Sequence, residues 1–136
     1  MSNLNHNIKQ LKLFNYNAGL KFGEIERKEL LAVEILRFNP SGYIIERGRY
    51  NPAGDGEKES IPPTTLDVLG LDPLKQDEVI RKWTRNEGWR SMSIFDCKAD
   101  ENGNLIYYVW GQTIYDTEDG VIKTYEMFIR EIEYYQ

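Results

Sequence analysis

The chain has 136 residues, 17 Lys+Arg against 22 Asp+Glu for a formal charge of −5, and 40% hydrophobic residues. Such a length and apolar share predict one globular domain spanning 1–136, with a core that needs neither disulfides nor a metal. A lone cysteine, Cys97, excludes an intrachain disulfide and fits a reducing, cytoplasmic setting, and with one histidine (His6) no four-ligand Cys/His zinc site can form. The first residues carry no apolar h-region, and no apolar run approaches the roughly 18 residues of a membrane span, so neither a signal peptide nor a membrane segment is expected.

In chain order, Ile8 to Phe14 and Leu20 to Glu26 bracket Asn15-Tyr16-Asn17-Ala18-Gly19 and read as a first hairpin. Leu30 to Phe38 and Tyr43 to Tyr50 flank Asn39-Pro40-Ser41-Gly42 and read as a second. Residues 51–63 hold three of the five prolines and read as an internal loop between two β-rich halves. Asp72-Pro73 has the form of a helix start, with Asp as the cap and Pro at the first helical position. Leu74, Ile80 and Trp83 then give a one-sided stripe, Arg81, Lys82 and Arg85 suit the negative end of the helix dipole, and Gly88 is a stop. This predicts one main helix near 73–87. Ser91 to Lys98, Asn104 to Tyr115 and Val121 to Tyr135 are separated by Asn- and Gly-bearing turns and predict a meander. The expected fold is therefore α+β: a curved, mainly antiparallel sheet of about six or seven strands with that one helix.

Four segments share a pattern of Asn or Asp followed by Gly after a short gap: Asn39 to Gly42, Asn51 to Gly54, Asp100 to Gly103 and Asp116 to Gly120. An aromatic residue precedes three of them (Phe38, Tyr50 and Tyr115), and Ala99 precedes the other. A side chain that caps the turn and a Gly that supplies positive φ explain the pattern physically. These segments resemble the YD-type (Rhs-like) β-hairpin repeats over 38–54 and 99–120. They depart from that pattern at Ala99 and in the extra residue before Gly120. The resemblance implies a structural or binding surface and an association with toxins.

Candidate chemistry is sparse. Cys97 has Lys98 beside it, but neighbours on a strand point to opposite faces, so an inert buried thiol is the better reading. Asp96-Cys97-Lys98 has the Asp-x-Lys form seen in restriction-endonuclease-like nucleases, without the upstream Asp on a strand that such a metal site needs. Asp100 to Asn104 and Asp116 to Gly120 lack the distal bidentate Glu of a calcium loop. No cofactor, metal or catalytic residue is assigned, and the chain leans away from being an enzyme.

Nine Tyr, five Phe and three Trp are present, most of them from Trp83 onward. In the last strands apolar residues fall on both faces, so something must cover the second face. The leading expectation is a non-catalytic binding protein of the bacterial or phage cytoplasm, with the size and acidity of immunity or inhibitor proteins. It would present Tyr107, Tyr108, Trp110, Tyr115 and Tyr125 to a protein partner. One alternative is a small-ligand or enzymatic site in a pocket inside the curved sheet. Another is anion or nucleic-acid binding through Arg81, Lys82, Arg85, Trp89 and Arg90, against which the acidic balance argues. A homo-oligomer is left open.

Overall fold

The computed structural model describes residues 7–71, 74–77, 85–116, 118 and 120–136. Eight antiparallel strands run in chain order: β1 (Ile8–Lys21), β2 (Glu24–Phe38), β3 (Ile44–Tyr50), β4 (Gly56–Thr64), β5 (Arg85–Asn86), β6 (Arg90–Ala99), β7 (Leu105–Asp116) and β8 (Gly120–Tyr134). Their spatial order is β4-β3-β2-β1-β8-β7-β6-β5. Two meanders thus unroll in opposite directions from a central seam, where β1 pairs with β8 from Ile8↔Tyr134 to Ala18↔Tyr125. Read cyclically, this is the neighbour order of an eight-stranded up-and-down barrel in which the β4–β5 pair is missing among the described residues.

The α+β expectation is overturned: the described residues are almost all antiparallel sheet, with only the pair Gln76–Asp77 helical between the strands. Pro73 and 78–84 of the expected helix lie outside the described residues. The flanks that are described serve the sheet instead. Leu74 O accepts the Leu105 amide at 2.6 Å, Lys75 bridges Asn104, and Arg85–Asn86 pair with Met92 and Ser91. Backbone pairing with β6 and β7 outweighs the local helix signals at both ends of the stretch.

Two other readings differ from the structure. The 51–63 stretch is a tight turn followed by β4. Pro62 and Pro63 are tolerated there because β4 is an outer strand and bulges: Glu46 faces Ser60 while Ile44 faces Thr64. The first hairpin turns not at 15–19 but at Phe22-Gly23. Asn15, Tyr16 and Ala18 mark register shifts inside a continuous β1.

The turn pattern itself has one geometry three times over. Asn39 Oδ1 accepts from Ser41 N and Tyr43 N, Asn51 Oδ1 from Ala53 N and Asp55 N, and Asp100 Oδ1 from Asn102 N and Asn104 N, all at 2.9–3.0 Å. In each, the Gly three residues on adopts φ of 80–92° and donates back to the Asx carbonyl. The Asp100 turn is also tied to the far end of β8, because Tyr134 OH donates to Asp100 and Asn104 Nδ2 donates to Tyr134 OH at 3.1 Å.

The pleat sorts side chains into two faces. On the front face Leu11, Leu36, Phe38 and Ile44 form a buried cluster roofed by Leu66, Leu69, Leu71 and Leu74 from the β4–β5 connection. Leu105 and Tyr108 form a second cluster with Phe128 and Trp110. On the back face Val109 and Met127 are buried with Ala18, and Tyr16, Ile25, Tyr107, Tyr125 and Ile129 pack around them. The two-sided apolarity of β7 and β8 is thereby explained: a leucine-rich connection covers one face, and side chains of the β1–β2 hairpin help cover the other.

Candidate functional site

The front-face clusters meet over the central strands without filling the space between them. A cavity of ≈ 170 Å³ remains there, lined by Leu13, Asn15, Ala32, Glu34, Tyr108, Phe128 and Arg130 from the sheet and by Leu66 and Leu71 above. The register dictates the wall: Leu13 lies opposite both Glu34 and Arg130, Asn15 opposite Ala32 and Phe128, and Phe128 opposite Tyr108. Period-two alternation brings these residues to one face from four strands. Exposed Ala32 stands at the rim.

Most of the wall is apolar, and its polar groups are few and placed. The Tyr108 ring is fully buried and stacks on Phe128 with centroids 4.7 Å apart and planes 11° apart. The Arg130 guanidinium, 3% exposed, lies 5.0 Å from the Tyr108 centroid, and its Nη2 donates to Tyr108 OH at 3.4 Å. A buried cation kept against an aromatic face is stabilised by the ring quadrupole. Glu34 pairs with Arg47 across β2 and β3, both about 15% exposed. Asn15 Nδ2 reaches Glu126 at 3.5 Å, while Asn15 Oδ1 is buried with no hydrogen-bond partner among the described residues. A buried acceptor left in this state costs about 1–3 kcal/mol.

The sequence-predicted partner residues do not form one surface. Tyr108 is core, and it shares the front face with half-buried Trp110. Tyr107 and Tyr125 lie on the back face, half-buried in the Val109–Met127 cluster. Tyr115 is 51% exposed at the far end of β7. Burial first and then the Asp96 charge raise the Tyr107 phenol above its usual range, and Lys98 Nζ sits 5.3 Å from the Tyr107 ring centroid.

Of the basic cluster, Arg81, Lys82 and the Arg85 side chain lie outside the described residues. Trp89 is exposed under the Arg90 guanidinium at 4.7 Å, and Arg90 is ion-paired with Glu87 at 2.6 Å, so its charge is locally offset. Cys97 is half-buried and accepts from Gln76 Nε2 at 3.3 Å. Among the described residues no three His, Cys, Asp or Glu side chains converge as a metal site would need.

Sequence reasoning missed Arg130, Asn15 and Phe128. Arg130 had a local signal, a charged residue flanked at i±2 by Phe128 and Ile132 on an otherwise apolar strand face. Asn15 had none, because its Asn-rich context imitates a turn. Family models, curated proteins and solved structures give no match to the chain.

Proposed function

We propose that the protein binds a small, mainly apolar molecule of single-ring size in the cavity between the sheet and the Leu66–Leu71 connection. The observation that carries this reading is the lined void itself, with the buried Tyr108–Phe128 stack in its wall. A void of this volume is comparable to one that admits benzene, and the Tyr108–Phe128 stack offers an aromatic surface for a flat ligand. No side chain in the wall is placed for covalent chemistry, so the reading is binding rather than catalysis.

The test is a two-dimensional amide NMR titration of the full chain with phenol, benzene and benzoate. Phenol and benzene should move the amides of Asn15, Ala32 and Phe128, and Ala32→Leu, which narrows the rim, should weaken both. Saturating phenol at about ten times its dissociation constant should add about 1.4 kcal/mol of stability. Absence of localised shifts at millimolar ligand would refute the reading.

A second reading, docking of a protein partner, draws on one feature. Trp89, Tyr115 and Val121 are 51–57% exposed at one end of the second meander, joined by the Tyr115 N to Trp89 O bond at 2.8 Å and the Tyr115↔Val121 pair. Such adjacent exposed apolar residues suit an interface. Loss of a captured partner with Trp89→Ala and Tyr115→Ala, and not with Phe22→Ala, would support it.

A further inference from the structure

Two local departures from regular strand structure meet at one place on the back face of β6, β7 and β8. β6 bulges at Phe95: Ile94 faces Trp110 and Asp96 faces Val109, which leaves Phe95 without a cross-strand mate. On the next strand Gly111 stands directly between Ser93 and Tyr125. The Tyr125 ring lies over that glycine, where an added Cβ would stand 3.1 Å from Tyr125 Cε1. Phe95, 48% exposed, meets the Tyr125 ring edge-on, with centroids 5.7 Å apart and planes at 79°. A bulge re-aims a side chain, and a glycine inside a strand marks a close approach. Here the two together set a pair of rings at a corner.

The rings border a hollow of ≈ 110 Å³ whose remaining walls are polar. Ser91, Ser93, Thr113 and Lys123 line it, and Thr113 pairs with Ser91 on one side and Lys123 on the other. Among the described residues no hydrogen bond or ion pair engages these four side chains. Each hydroxyl can donate and accept, and the ammonium brings three donors. Ser93, Phe95 and Lys123 are exposed, so the hollow opens to solvent.

That combination selects its ligand. A purely apolar molecule would strip water from four polar side chains and return no hydrogen bond. A multiply charged anion would find one lysine and no guanidinium fork. A six-membered sugar ring answers both halves of the site. One of its faces is a patch of C–H groups that packs on an aromatic ring, and its rim carries hydroxyls that donate and accept. We infer that the hollow bounded by Phe95, Tyr125 and Thr113 binds a single neutral pyranose unit of a carbohydrate. The site lies on the opposite face of the sheet from the Tyr108–Arg130 wall, so it is independent of the cavity reading.

Amide NMR of the full chain tests it, with the methyl glycosides of glucose, galactose, mannose and N-acetylglucosamine as probes and sorbitol as an open-chain control. At least one glycoside should shift the amides of Ser93, Gly111 and Thr113 with a dissociation constant of about 1–10 mM, leaving Asn15 and Phe128 unmoved. Sorbitol has the hydroxyls but no ring face and should shift none of them. Phe95→Ala should weaken binding about five- to tenfold. Thr113→Val, which keeps the shape and removes the hydroxyl, should weaken it about fivefold. Phe22→Ala, at the hairpin tip, should bind as wild type does, and circular dichroism of each variant checks that it is folded. No localised shift from any glycoside at about 100 mM, equal shifts from sorbitol, or binding unchanged by Phe95→Ala would each overturn the inference.

Discussion

Replacing Tyr108 and Tyr115 with alanine, one at a time, separates a core tyrosine from a surface one on the same strand. Tyr108 has no exposed surface and stacks on Phe128 at 4.7 Å. Deleting a buried aromatic ring costs about 3–5 kcal/mol, a figure that already contains most of the stacking energy of about 0.5–1.5 kcal/mol. The Arg130 bond to its hydroxyl is long at 3.4 Å and adds little. The expected loss for Tyr108→Ala is therefore about 4 kcal/mol, a large share of a typical total of 5–15 kcal/mol. For a chain of this size it should lower the melting midpoint by about 10–15 °C. Tyr115, half exposed, should cost about 0.5 kcal/mol or less. Tyr108→Phe keeps the ring and should cost about 1 kcal/mol or less. Urea unfolding followed by tryptophan fluorescence measures all three, with unchanged m-values as the check that the transition keeps its size. A Tyr108→Ala loss below about 1.5 kcal/mol, or one no larger than that of Tyr115→Ala, would refute the placement of Tyr108 in the core and with it the aromatic wall of the cavity.

Other expectations follow from single contacts. Tyr134 is shifted upward by burial and then by its bond to Asp100. Since the folded-state value lies above the unfolded one near 10, its stabilisation is intact below about pH 10 and lost as pH climbs through the raised value. Alkaline unfolding followed by tyrosinate absorbance should thus be less steep in Tyr134→Phe. Gly56→Ala would set a Cβ 1.9 Å from the Arg49 carbonyl oxygen, so the β3–β4 turn must open, and hydrogen exchange should show β4 amides losing protection first. Asn51→Ala removes two backbone bonds from the 51–55 turn and should cost about 1 kcal/mol by urea titration. Phe22→Asn puts a residue tolerant of positive φ at the hairpin tip and should raise stability by about 0.5–1 kcal/mol.

What could be read from residues alone was what depends on near neighbours. The turns at Asn39, Asn51 and Asp100 were legible because their bonds close within five residues, and the strands they join followed with them. Asn15 to Gly19 carried the same residue types and misled, since a bulge inside a strand and a turn between strands use similar chemistry. Strand β4 was hidden by Pro62 and Pro63, which exclude a central strand but not an outer, bulged one. The helix reading rested on caps and charges near Asp72, yet the described ends of that stretch are committed to backbone pairing with β6 and β7. The cavity was out of reach because Leu66 and Leu71 come from a connection whose landing place no local pattern reveals. Likewise Tyr107 and Tyr108 are adjacent and alike in the chain, and only the register of β7 against β8 sends one to each face.

The central seam has a consequence for how the chain is made. Leu11 pairs with Leu36 early in the sequence, but its other neighbour is Ile132. On a ribosome the first meander can close while β8 is still unmade, and at roughly 5–20 residues per second the inner edge of β1 waits about 6–24 s for its mate. The first half must therefore survive as an unfinished sheet, and β8, made after the seven other described strands, completes the middle of the sheet, not its margin. Slow, ribosome-paced completion with high contact order is the folding behaviour this topology imposes, and premature termination within β8 would leave two half-sheets with nothing to join them.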